Sequence, residues 1–246
     1  MDRIDLLGIP VGVLDLDQAV AAVQGLLGVG GYVCTPNAEM LEAAQRHPGL
    51  RAALRGSAFN VADGFGVVLA ARLLGQTLPG RVPGIDLFTA VLARLAQSGQ
   101  PVYLLGARPG IASRAADRIT DEHPGLNIAG HHHGYFPAWA EAEVVQAIGH
   151  SRPALVAVAL GSPKQELFMA KWAVDLSPAV LIGLGGSLDI LAGEASRAPP
   201  LLGRLGLEWA YRLASQPTRW RRTLALPAFL GRVIQVRWRS RHDPDQ

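Results

Sequence analysis

Two short stretches concentrate the residues able to do chemistry. Residues 31–39 read Gly-Tyr-Val-Cys-Thr-Pro-Asn-Ala-Glu, and residues 60–64 read Asn-Val-Ala-Asp-Gly. Each is an apolar run that stops abruptly in polar residues and is followed by a helical pattern. Tyr32–Cys34 reads as a buried strand with Thr35, Pro36 and Asn37 at its carboxyl end, and Phe59–Ala62 reads as a second strand ending at Asp63. Ligands of open α/β sheets bind outside the carboxyl ends of the strands. Two neighbouring strands would bring a hydroxyl, an amide and a carboxylate to one place. Asn37 and Asp63 also stand where a helix N-cap belongs, because both side chains accept bonds from orphan backbone N–H groups. Capping therefore competes with catalysis for each of them.

The elements that must position these groups alternate along the chain. Ile4–Val13 reads as a strand or hairpin and Leu16–Leu27 as a helix. The pair Asp15-x-Asp17 resembles a metal-holding signature, but it opens a helix, where acids complement the macrodipole. Helices are expected at Ala38–Gln45, Pro48–Leu54, Gly64–Leu74 and Ile85–Ala96, with a Pro- and Gly-rich loop carrying Arg81 between the last two. Val102–Leu105 is a strand that turns at Gly106 into a helix ending near Glu122, a geometry that favours anions. Asn127–His131 is a strand ending in three histidines. Adjacent strand residues alternate faces, so the three cannot converge on one ion, and His133 is read as part of a polar strand end lining a cleft. Ala154–Leu160 runs into Gly161-Ser-Pro-Lys-Gln-Glu166, and Val180–Leu184 runs into Gly185-Gly-Ser-Leu-Asp189. Lys164, Gln165, Glu166, Gly185, Gly186 and Asp189 thus join the same rim. Alternating strands and helices predict an α/β fold with a Rossmann-like, mostly parallel sheet flanked by helices.

Composition bounds the rest. The chain has 246 residues, 49% of them hydrophobic, enough for one α/β domain with an appendage. Its single cysteine, Cys34, excludes an internal disulfide framework and fits a reducing compartment. The first residues lack the pattern of a signal peptide, and no apolar run approaches the ~20 residues that span a bilayer. Residues 1–200 carry a net charge of −3 and residues 201–246 a net +6. That second part, with Arg and Trp interleaved over apolar helical spacing, has the composition of a segment lying on an anionic membrane surface, or equally of a solvated helix packed on the body. The division expected is a catalytic domain over 1–199 and a basic helical appendage over 200–246, with Leu201–Ala214 and Leu224–Val236 as its apolar-periodic stretches and Arg237-Trp-Arg-Ser-Arg241 after them.

Several of these segments occur together in one known family. Thr35-Pro-Asn-Ala-Glu, Asp63-Gly-Phe-Gly-Val, Gly84-Ile-Asp-Leu-Phe, His132-His-Gly-Tyr-Phe, Gly161-Ser-Pro-Lys-Gln-Glu, Gly185-Gly-Ser-Leu-Asp, Arg197-Ala-Pro and Glu208-Trp-Ala-Tyr-Arg-Leu stand in order, followed by Gln216-Pro and Arg219. This resembles the WecG/TagA/CpsF glycosyltransferases over roughly residues 3–222, departing at Ile85, where Thr is usual. The resemblance implies inverting, metal-independent transfer of a sugar from a UDP-sugar to an undecaprenyl-diphosphate-linked GlcNAc acceptor, as in teichoic acid synthesis. N-acetylmannosamine is the first expectation for the sugar, with its uronic acid or glucose as alternatives. It implies Asp63 as general base, Thr35, Asn37 and Gln165 in the sugar and acceptor pocket, and Arg81 on the adjoining loop. Arg212, Arg219 and Arg222 fall on an appendage that docks at the inner face of the cytoplasmic membrane and closes over the diphosphate. No cofactor is expected; a homo-oligomer is compatible. The rivals are a dehydrogenase, for which the dinucleotide fingerprint is missing, and a nucleic-acid-binding module, which leaves the clustered rim residues without a role.

Overall fold

The computed structural model describes residues 1–199, 202, 211 and 225–242. Arg212, Arg219, Arg222 and most of the expected helix Leu201–Ala214 lie outside the described residues. The chain opens with a hairpin, β1 (Arg3–Leu6) and β2 (Ile9–Gly12), paired antiparallel. There follow α1 (Leu16–Leu26), β3 (Gly31–Cys34), α2 (Ala38–Ala44), α3 (Pro48–Gly56) and β4 (Phe59–Asn60). Then come α4 (Phe65–Leu73), α5 (Gly84–Ser98), β5 (Pro101–Gly106), α6 (Ile111–Glu122) and β6 (Asn127–His132). The body closes with α7 (Glu141–His150), β7 (Leu155–Ala159), α8 (Lys164–Trp172), β8 (Val180–Gly183) and α9 (Ser187–Leu191), and α10 (Ala225–His242) is the C-terminal helix. Among the described residues the expectation of a mostly parallel sheet becomes a wholly parallel six-stranded sheet, ordered β4-β3-β8-β7-β5-β6.

Both faces of the sheet are covered, as parallel sheets require. Strand alternation divides the core into two layers. Tyr32, Cys34, Tyr103, Leu105, Val156, Val158 and Leu181 belong to one layer, packed with residues of α2, α3, α4, α7, α8 and α10. Val33, Val102, Leu104, Leu155, Ala157, Val180 and Ile182 belong to the other, with α1, α5, α6 and α9. Cys34 is fully buried, and burial with the nearby Glu166 carboxyl pushes its thiol well up. It is core, as its strand position predicts.

Two local expectations resolve simply. Asp15 caps α1: its carboxylate accepts from the Gln18 N–H at 2.8 Å, and the Gln18 side-chain oxygen accepts from the Asp15 N–H at 3.0 Å. Strand β4 stops at Asn60, shorter than expected, yet the chain keeps alongside β3, because the Val61 and Asp63 N–H groups donate to Cys34 and Pro36. Helix α7 was not anticipated from the sequence. Beyond the undescribed stretch, α10 runs through the Arg237–Arg241 cluster as one continuous helix. Its Phe229 and Val233 are fully buried in the layer with α2 and α4. Among the described residues, no helix is long and apolar enough to cross a membrane.

Candidate active site

The carboxyl ends of the strands and their following loops line a cavity of about 1100 Å³. Strand β3 brings Thr35 and Asn37, β4 brings Asp63, and the loop before α5 brings Arg81. Lys164 and Gln165 follow β7, and Gly185, Gly186 and Asp189 follow β8. Residues 31–39 and 60–64 thus meet at one cavity.

Local structure fixes each group. The Thr35 hydroxyl donates to the Gly183 carbonyl at 2.9 Å, tying the end of β3 to that of β8 and leaving its oxygen lone pairs for a ligand. Asn37 is the N-cap of α2, its Oδ1 accepting from the Met40 N–H at 3.0 Å. Here capping and lining coexist in one amide, whose nitrogen is not needed by the cap. Asp63 is different. The N-cap of α4 is Gly64, whose φ of 96° favours glycine, and Asp63 stands one residue outside the cap position. The loop with Arg81 is pinned beside it, since the Val82 N–H donates to the Ala62 carbonyl at 2.8 Å.

On the far side, Lys164 donates to the Gly134 carbonyl at 3.1 Å and lies over the Phe136 ring. Arg108 faces Asp189 at 3.5 Å. The Gln165 side-chain oxygen accepts from the Gly185 N–H at 2.9 Å, and its nitrogen donates to Glu166 at 2.7 Å. Burial raises the Glu166 carboxyl above its usual range, opposed by the Gln165 amide and the Ser162 hydroxyl. Cations, a carboxylate and amide donors thus face one space. Among the described residues no three His, Cys, Asp or Glu side chains form a metal-holding group.

Three expected rim residues do not line the cavity. Glu166 is buried behind Gln165, because the first turn of α8 points its side chain into the core. His133 turns away: its Nδ1 accepts from the Tyr135 N–H at 3.3 Å and its ring packs on His132 at 4.5 Å. Gly106 is a packing glycine. At its φ of 143°, a Cβ would stand 2.4 Å from the Ala159 carbonyl oxygen, so it permits β5 to close on β7 while Ala107 and Arg108 reach the cavity. Conversely, Arg108, Tyr135, His47, Phe65 and Leu226 line it and were not chosen from sequence. Phe65 and Tyr135 lie within the family-like segments that begin at Asp63 and His132. Leu226 had no local signal, since α10 reaches the cavity only through tertiary packing.

A cavity of mixed polar and apolar lining along the carboxyl edge of a doubly wound parallel sheet is the arrangement of an α/β enzyme that binds its substrates at strand ends. A sequence profile of the Glycosyl transferase WecG/TagA/CpsF family matches residues 4–243. The chain belongs to this family and is a glycosyltransferase. It is 38% identical over 206 residues to an N-acetylglucosaminyldiphosphoundecaprenol N-acetyl-beta-D-mannosaminyltransferase of Bacillus spizizenii (strain ATCC 23059 / NRRL B-14472 / W23), covering 84% of this chain and 79% of that protein. A protein of the same description from Bacillus subtilis (strain 168) is 35% identical over 207 residues, covering 84% and 80%.

Proposed function

We propose that this enzyme transfers N-acetylmannosamine from a UDP-sugar to the GlcNAc of a diphosphoundecaprenol-linked acceptor, with inversion, and with Asp63 as general base. The observation that carries the reading is the convergence of Asp63 with Thr35, Asn37, Arg81 and Gln165 at the carboxyl edge. The activity by which the two relatives are described supports the choice of sugar and acceptor. In the step proposed, the acceptor hydroxyl oxygen bonds to the anomeric carbon on the face opposite UDP. Asp63 takes the hydroxyl proton, the carbon–phosphate-oxygen bond breaks, and UDP leaves with the electron pair. Arg81, Arg108 and Lys164 supply positive charge for the departing diphosphate, and guanidinium forks suit phosphate oxygens. Thr35 and Asn37 hold the sugar and acceptor hydroxyls.

The outward side of α10, where Ile234 is 54% and Trp238 61% exposed beside Arg239, is taken to rest on the membrane that carries the acceptor. This peripheral docking at the inner leaflet, and a role for Arg212, Arg219 and Arg222 toward the leaving diphosphate, belong to the same proposal.

The test is UDP release from a panel of UDP-sugars with a lipid-diphosphate-GlcNAc analogue, for the wild type and Asp63→Asn. Turnover of UDP-N-acetylmannosamine, lost by at least about 100-fold in the variant with UDP binding retained, is expected. Turnover of another donor instead would correct the sugar. Unchanged turnover in Asp63→Asn would remove that residue from the mechanism.

A further inference from the structure

Behind Gln165 lies a carboxyl side chain that the transfer chemistry does not use. Glu166 is 0% exposed, although the two residues before it open onto the cavity. Its Oε1 accepts from Gln165 Nε2 at 2.7 Å, while Gln165 Oε1 accepts from the Gly185 N–H at 2.9 Å. The backbone N–H can only donate, and the carboxyl oxygen facing Gln165 accepts. Only one of the two amide orientations satisfies both partners. The space is equally restrictive: a Cβ on Gly183 would come 2.9 Å from Gln165 Nε2 and 3.0 Å from the Met169 methyl. Complete burial near the buried Cys34 disfavours a carboxyl there unless it is bonded. One of its partners is the Gln165 amide, which lines the substrate space.

We propose that Glu166 is a positioning residue for transfer: it clamps the Gln165 amide so that the remaining Nε2–H is the group offered to the cavity, as a donor to a substrate oxygen. The assignment rests on the transfer reading above for the identity of that substrate. It makes Gln165 a donor rather than an acceptor, which the residue type alone leaves open. Loss of the clamp would let the amide turn its oxygen toward oxygen-rich sugar or phosphate groups.

The experiment compares steady-state transfer and UDP binding in the wild type, Glu166→Gln, Glu166→Met, Gln165→Ala and the double variant Gln165→Ala/Glu166→Met. Glu166→Gln keeps an acceptor oxygen and is expected within about threefold of wild-type kcat. Glu166→Met is expected to lose roughly 10- to 100-fold in kcat, with UDP affinity held within about twofold. In the Gln165→Ala background, Glu166→Met should cost nothing further. Should the methionine variant not fold, Glu166→Ala carries the same expectation. Full activity in a folded Glu166→Met protein, or losses that multiply in the double variant, would overturn the proposal.

A second readout does not depend on turnover. The side-chain amide protons of Gln165, assigned by their loss in Gln165→Ala, should be widely separated in the wild-type NMR spectrum and collapse together in Glu166→Met. A narrow wild-type pair would show that no clamp exists and sink the proposal directly. A wide pair in a protein that turns over no UDP-sugar would instead sink the transfer reading, and with it the role of Glu166 in transfer.

Discussion

Asn37 combines a structural and a chemical role that two substitutions separate. Its oxygen caps α2 and its side chain lines the cavity. Asn37→Ala removes both, and is expected to cost about 1 kcal/mol as a lost cap, or about 2–4 °C in Tm for a domain of this size. Asn37→Asp keeps an acceptor for the Met40 N–H, so Tm should stay near wild type. It replaces the amide donor by a carboxylate close to Asp63, and turnover should fall by at least tenfold all the same. Thermal unfolding read beside UDP release checks both halves; a fully active Asn37→Asp protein would make the residue a cap alone. Asn37 and Asp63 carried the same signature in the sequence, an acceptor before a helical run. What distinguished them was the following residue. Gly64, at positive φ, takes the cap position and leaves Asp63 outside it. Side-chain direction was the part not legible: Glu166 and His133 read as polar residues near strand ends, yet one turns into the core and the other back on its own loop.

Among the elements, α10 is the one whose docking depends on charge. Glu42 on α2 is 4% exposed and accepts from both Arg232 Nε and Nη2 at 2.9 Å, with Arg46 as a further partner. The Arg232 fork holds the Glu42 carboxyl below its usual range, against the opposing effect of burial. Because the folded value is lowered, the stabilisation is complete above the unfolded carboxylate value of about 4.3. It is lost as pH falls from there through the folded value. Tm measured from pH 7 to pH 3 should therefore fall more steeply for the wild type than for Glu42→Gln, and parallel curves would exclude the contact as a source of acid sensitivity. Arg232→Ala should cost about 1–3 kcal/mol, below the range for a fully buried pair. Arg232 is 37% exposed, and Arg46 remains to the carboxylate. Neither partner stood out in the sequence, where 190 residues separate them. Helix α7 is a different omission. Val144, Val145 and Ile148 do form its buried stripe, but they lie in a ten-residue run ending in Gly149 and His150 with no side-chain cap, so local periodicity alone carried the signal.

For the whole molecule, the described part of the basic C-terminal region, α10, packs on the body with one side and leaves another exposed. Phe229 and Val233 complete the layer over α2 and α4, Leu226 reaches the cavity wall, and Arg237 donates to the Leu73 carbonyl. The sequence showed the change of composition after Pro199 and the charge contrast between −3 and +6. It did not show that the helix returns to the core, because one helix can carry a buried stripe and an exposed one with the same residue types. A truncation near residue 200 would remove both at once, so lost activity in such a protein would not identify the cause. Single substitutions divide them. Phe229→Ala should cost about 3–5 kcal/mol, on the order of 10 °C in Tm, with vesicle binding unchanged at temperatures where the protein is folded. The pair Ile234→Ala/Trp238→Ala sits on the exposed side. It should leave Tm within about 2 °C, since exposed substitutions change stability little, yet weaken binding to vesicles containing anionic lipid by at least about fivefold. Transfer to a long-chain lipid acceptor in those vesicles should fall in parallel, while transfer to a water-soluble analogue should not. If vesicle binding survives the double substitution, the membrane does not lie against this side of α10, and the net positive charge of residues 201–246 must act elsewhere.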